Sequence, residues 1–136
     1  MITVKRIAHV AVCVPDIEAA LRPFADLFGL AAGEREASKE LQTEAVLLPL
    51  GETSIELIAP HGSGQGTLSR YLERRGPGLH HLALEVEGLD EALAQLKARG
   101  VALIDETPHV GARGHRVAFI HPRATGGVLI ELVEVT

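Results

Sequence analysis

Apolar and polar positions along the chain change rhythm at regular intervals, and those changes predict its elements. Residues 8 to 14 and 80 to 86 run or alternate apolar with several β-branched side chains, which predicts strands; each is followed by a stretch of helical spacing. In the first helix Asp16 is the expected N-cap, Ile17, Ala20, Leu21, Phe24, Leu27 and Phe28 make one apolar face, and Gly29 is a natural stop. Pro23 falls inside this stretch. An interior proline loses a backbone hydrogen bond and clashes with the preceding turn at a cost of about 3 kcal/mol, so a kink or break is expected there. In the second helix Leu89, Ala92, Leu93 and Leu96 form the buried stripe, followed by Lys97, Arg99 and a terminating Gly100. Residues 43 to 50 and 53 to 60 read as two strands around Gly51-Glu52, and 115 to 121 and 128 to 134 as two more around a Pro/Gly-rich turn. With a short strand after each helix, each half is βαβββ. Between the halves, His61-Gly62-Ser63-Gly64-Gln65-Gly66 has linker chemistry, and residues 66 to 75 read as a short amphipathic helix closed by Gly76-Pro77-Gly78.

The halves also repeat each other in sequence. The segment from Ala8 to Val14 aligns with that from His80 to Val86, so that His81 follows His9 by 72 positions; Ser54 to Ile58 aligns with Leu129 to Val133, so that Glu131 follows Glu56 by 75. Two distant segments agree within three residues, which marks an internal duplication. The expected organisation is one α+β domain over residues 1 to 136, with modules at about 4–60 and 78–136 joined by the helix at 66–75.

Composition narrows the possible partners. A length of 136 residues with 46% hydrophobic content suffices for one buried core. A formal charge of −5 with no Lys/Arg run speaks against nucleic acid. The start of the chain lacks the apolar region of a secretory signal, and no apolar run approaches the roughly 20 residues of a membrane span, so a cytoplasmic protein without a membrane partner is expected. Cys13 is the single cysteine, which rules out an intrachain disulfide and a thiolate zinc cluster. Any metal must therefore be held by imidazole and carboxylate.

Four residues fit that description. His9 and His81 occupy equivalent strand positions, and Glu56 and Glu131 sit in apolar strands where an unpaired buried carboxylate is too costly to leave uncompensated. A lone strand histidine is more often a core or surface residue, and a lone strand glutamate usually faces water. The repeat preserves all four ionisable residues, however, while Cys13 against Glu85 and Pro15 against Glu87 diverge. The four residues are therefore expected to hold one divalent ion. His80 points away from His81 by strand alternation, and His61, His109, His115 and His121 have no counterpart under the repeat. Mixed imidazole and carboxylate ligation suits Mn, Co, Ni, Zn or Fe; a fourth protein ligand favours Lewis-acid catalysis over the oxygen chemistry of sites with two histidines and one carboxylate.

The sequence resembles methylmalonyl-CoA epimerases of the vicinal oxygen chelate superfamily over essentially its whole length. The matching segments are Gly78-Leu79-His80-His81-Leu82-Ala83, Gly111-Ala112-Arg113-Gly114, Phe119-Ile120-His121-Pro122-Arg123 and Gly127-Val128-Leu129-Ile130-Glu131-Leu132, with His9-Val10-Ala11 and Ile55-Glu56-Leu57 shared by the wider superfamily. The resemblance implies two tandem βαβββ modules in an open, U-shaped sheet around the metal, and a homodimer. It implies one divalent ion per subunit, cobalt, manganese, nickel or zinc, and an acyl-CoA substrate of propionate metabolism. The implied reaction is isomerisation: the C2 proton of methylmalonyl-CoA is removed through a metal-stabilised enolate, so that the (R) and (S) forms interconvert. Inversion needs bases on both faces of the carbon. The resemblance implies Glu131 for one and Glu44 for the other; many epimerases carry Gln-Gly four residues before that Glu, where this chain has Glu40-Leu41, so Glu40 stands as the alternative. The loop at Gly111 and Gly114 is expected to bind the substrate carboxylate through backbone N–H groups, or else to be a tight turn. The competing functions are a glyoxalase-type lactoylglutathione lyase and a metal-free ligand-binding protein of the same fold.

Overall fold

The computed structural model describes residues 1 to 62 and 65 to 135; Ser63 and Gly64 of the expected linker lie outside the described residues. Two compact units are present, one formed by Val10–His80 and the other by Met1–His9 with His81–Thr136. The first strand, β1 (Val4–Cys13), belongs to both, its first six residues to the second unit and its last four to the first.

The first unit continues with α1 (Ile17–Phe28), β2 (Arg35–Ser38), β3 (Thr43–Leu50), β4 (Thr53–Pro60) and α2 (Thr67–Arg75). Its strands lie in the order β2-β3-β4-β1, antiparallel from β2 to β4 and parallel between β4 and β1. Asp16 caps α1 by accepting the Ala19 N–H at 2.9 Å, and Gly29 ends it in the left-handed region at φ 67°. The break expected at Pro23 does not occur: α1 runs unbroken from Ile17 to Phe28. Both caps are satisfied, and Ile17, Ala20, Leu21 and Phe24 pack onto Val14, Val46, Leu48, Leu57 and Ala59, which offsets the lost hydrogen bond. The apolar face is shorter than expected. Leu27 and Phe28 are 72% and 67% exposed, because the residues packed in this core end at Phe24.

The second unit holds β5 (Gly78–Val86, from His81 onward), α3 (Leu89–Ala98), β6 (His109–Val110), β7 (Arg116–Ile120) and β8 (Ile130–Glu134). β8 runs parallel to β5, with β7 antiparallel to β8 and β6 to β7. Leu89, Ala92, Leu93 and Leu96 are buried, as the periodicity predicts. The N-cap of α3 is Gly88, which has no side chain to offer, and the carboxylate of Glu134 on β8 accepts the Leu89 N–H at 3.1 Å instead. Each half thus follows the order strand, helix, three strands, in agreement with the α+β reading, although the short strand expected after α3 is only the two residues of β6. Among the described residues no helix is long and apolar enough to cross a membrane.

Candidate metal centre

Strand alternation decides which residues can meet. On β1 the inward row is His9, Ala11 and Cys13, all buried, while Val12 and Val14 pack in the α1 core. On β5 the corresponding row is His81, Ala83 and Glu85, and Ala83 lies opposite Glu131 of β8. These rows bring three of the expected ligands together within one unit. His9 Nε2 and His81 Nε2 are 3.2 Å apart, and Glu131 Oε1 lies 3.1 Å from the first and 3.5 Å from the second. Glu56 is 5% exposed on β4, opposite Ala11 of β1. His9, Glu56 and His81 are each buried and can each offer one ligand atom.

This geometry suits a divalent ion. Donors held about 2.1 Å from a shared ion at angles of about 90° to 110° stand about 3.0–3.4 Å apart, close to the three separations above. Glu131 Oε1 is buried and accepts no hydrogen bond among the described residues, so a buried carboxylate oxygen faces two imidazole nitrogens without a conventional partner. Burial pushes the Glu131 carboxyl upward, but its contacts with His81 and His9 outweigh that and hold it at about 2. The donor set of imidazole and carboxylate, without thiolate, matches zinc, cobalt, nickel or manganese.

The remaining expected residues are placed elsewhere. Glu44 on β3 pairs with Ala59, whereas Glu56 pairs with Leu47, so within the first unit Glu44 shares the face of Val46 and Leu48, which packs on α1, and Glu56 projects from the other. Its carboxylate lies 3.3 Å from Arg35 and 3.3 Å from His61 Nδ1, and Arg35 also pairs with Glu18 of α1. Glu40 sits in the exposed turn before β3. Gly111 precedes and Gly114 ends a single 3-10 turn (Ala112–Gly114), where Gly111 donates its N–H to His115 O at 2.8 Å and Gly114 donates to Gly111 O at 3.3 Å. A Cβ at Gly111 would stand 2.8 Å from Val117 Cγ2, which explains the glycine there. His80 packs edge-on to Tyr71, 4.6 Å between centroids, and His109 pairs with Asp105.

Sequence reasoning missed two features of the site. One is the Arg35 and His61 pairing of Glu44, which joins residues with no periodic signal. The other is Phe119, whose ring meets His81; the register of the duplication points to it, because Phe119 lies opposite Glu131 as Leu47 lies opposite Glu56.

Comparison with known proteins agrees with the fold. Residues 8–119 match the model of the Glyoxalase/Bleomycin resistance protein/Dioxygenase superfamily. The mitochondrial methylmalonyl-CoA epimerase of Bos taurus is 35% identical over 127 residues, covering 93% of this chain and 73% of that protein. An ethylmalonyl-CoA/methylmalonyl-CoA epimerase of Cereibacter sphaeroides is 34% identical over 132 residues, covering 96% and 98%. Among solved structures, the methylmalonyl-CoA epimerase of Mycobacterium tuberculosis superposes with a TM-score of 0.90 at 34% identity, covering 98% of this chain and 89% of that one. A methylmalonyl-CoA epimerase in complex with methylmalonyl-CoA and NH4+ gives a TM-score of 0.91 at 25% identity, covering 98% and 96%.

Proposed function

The chain belongs to the Glyoxalase/Bleomycin resistance protein/Dioxygenase superfamily, and from that premise we propose that it is a methylmalonyl-CoA epimerase, exchanging the C2 proton to interconvert the (R) and (S) forms. The names of its relatives support this reading. The observation that carries it is the buried convergence of His9 Nε2, His81 Nε2 and Glu131 Oε1.

C2 of the substrate lies between a thioester and a carboxylate, so its proton leaves as the electron pair moves onto the thioester oxygen. Glu131, ionised well below neutral pH, is the base that accepts that proton on one face. His9 and His81 keep its carboxylate oriented, and Ala83, Val117 and Val133 form a buried apolar cluster on its strands that limits water. His9, Glu56, His81 and Glu131 would hold a divalent ion, which would supply positive charge to offset the negative charge developing on the substrate. Cobalt, manganese, nickel and zinc all suit this ligand set, at one ion per chain.

Return of a proton to the opposite face requires a second acid. The resemblance nominates Glu44, while its place on the α1 face and its pairing with Arg35 and His61 speak for an ion-pair role. Glu44→Gln separates the two. A fall in kcat of about 10²- to 10⁴-fold with metal affinity unchanged makes it the base; unchanged kcat makes it an ion-pair residue. Gly111 and Gly114, with their N–H groups already used inside the turn, are proposed to admit the substrate carboxylate by close approach of a backbone without side chains. The resemblance extends the proposal to a homodimer of propionate metabolism, for which sedimentation measures the oligomeric state.

The deciding experiment is incubation of the metal-loaded protein with methylmalonyl-CoA in deuterated water, followed by NMR at C2. Deuterium should enter C2 as the two epimers equilibrate. Absence of exchange, with lactoylglutathione formed from methylglyoxal and glutathione, would make the chain a lyase; neither reaction would leave a binding protein.

A further inference from the structure

Phe119 takes no part in the chemistry above, yet its ring stands against the residues that perform it. It lies on β7 directly opposite Glu131, and paired residues of neighbouring strands project from the same face. The Phe119 ring meets the His81 imidazole edge to face, with centroids 5.4 Å apart and planes at 89°, while the His9 ring meets His81 at 5.3 Å and 73°. Both spacings fall within the range of attractive aromatic pairs. The Phe119 backbone is itself anchored. Its N–H donates to Asp105 Oδ2 at 2.8 Å, and its carbonyl accepts the Ile104 and Asp105 N–H groups at 3.0 and 3.1 Å.

An imidazole turns about a soft final torsion, so packing must hold it at one angle. Nε2 of His81 is useful only while it faces His9 Nε2 and Glu131 Oε1. The duplication sharpens the assignment, because the equivalent position opposite Glu56 is Leu47, an aliphatic residue without an aromatic edge. We propose that Phe119 is a positioning residue of the metal centre, fixing the rotation of the His81 ring so that its Nε2 stays aimed at the shared ion. This inference rests on the metal-centre reading given above, and it adds a residue that cannot itself coordinate the ion.

The test uses metal-stripped full-length protein titrated with Co2+ alone, read by the visible absorption of the bound ion and by competition with a chelator. Phe119→Leu keeps apolar bulk but removes the ring, and should weaken Co2+ binding about tenfold and change the absorption envelope. Phe119→Tyr restores the ring and should return affinity to within about twofold of wild type. Circular dichroism checks folding; should Phe119→Leu fail to fold, Phe119→Met fills the gap with a flexible apolar chain and carries the same expectation. Co2+ affinity and spectrum unchanged in the folded aliphatic variant would overturn the role of Phe119. Wild-type protein that binds no Co2+ would instead remove the metal centre itself.

Discussion

Glu56 on β4 lies opposite Leu47 of β3, whereas Glu131 on β8 lies opposite Phe119 of β7. Four residues beyond the His9 and His81 pair, Cys13 of β1 matches Glu85 of β5; both are buried, but Cys13 is a neutral thiol and Glu85 forms ion pairs with Lys5 at 3.3 Å and Arg6 at 3.1 Å. The duplicated halves have therefore kept the residues that can hold an ion and diverged in the residues around them. Ligand identity and ligand environment are therefore separable: a carboxylate on the same kind of strand meets different surroundings when its cross-strand neighbour changes from leucine to phenylalanine.

The largest expected consequence is catalytic. Glu131→Gln keeps an amide oxygen but removes the negative charge and the base, and should lower kcat by about 10²- to 10⁴-fold. Glu56→Gln keeps an oxygen donor at its position and should lower kcat by no more than about tenfold, as read by C2 deuterium exchange under saturating metal. Equal losses in the two variants would break the distinction between the halves.

A smaller effect separates Cys13 from its repeat partner. Burial raises the Cys13 thiol from 9.0 to about 11, which reduces its thiolate fraction near neutral pH by about 100-fold, in addition to steric exclusion. Native protein should resist alkylation by iodoacetamide and label fully once unfolded in denaturant, as followed by mass spectrometry. Rapid stoichiometric labelling of the folded chain would contradict the burial.

The smallest effect is on stability in acid. Glu131 titrates at about 2 in the folded chain against 4.5 for an ordinary glutamate. A depressed carboxylate contributes stability that is fully present above about pH 4.5 and is lost as pH falls towards 2. Metal-stripped protein should accordingly show a Tm that declines across that window in calorimetry, and Glu131→Gln should flatten the decline. A decline unchanged in the variant would place the acid sensitivity in other carboxylates.

Much of this was legible along the chain. The strands at residues 8 to 14 and 80 to 86, the Asp16 cap, the buried stripe of α3 and the repeat that pairs His9 with His81 and Glu56 with Glu131 all follow from periodicity and turn chemistry. These act between residues near one another in sequence. The unbroken helix through Pro23, the exposed Leu27 and Phe28, and the face on which Glu44 projects did not follow in the same way.

The order of elements, the duplication and the set of candidate ligands follow from local spacing, because a period of two or about 3.6 residues assigns a side chain to a face whatever packs upon it. Folding in three dimensions sets the rest: Glu131 within 3.5 Å of two imidazoles, Arg35 and His61 against Glu44, and Phe119 against His81. Those contacts join residues far apart in the chain, and their distances depend on strand register and on the bulk of neighbours that no local pattern records.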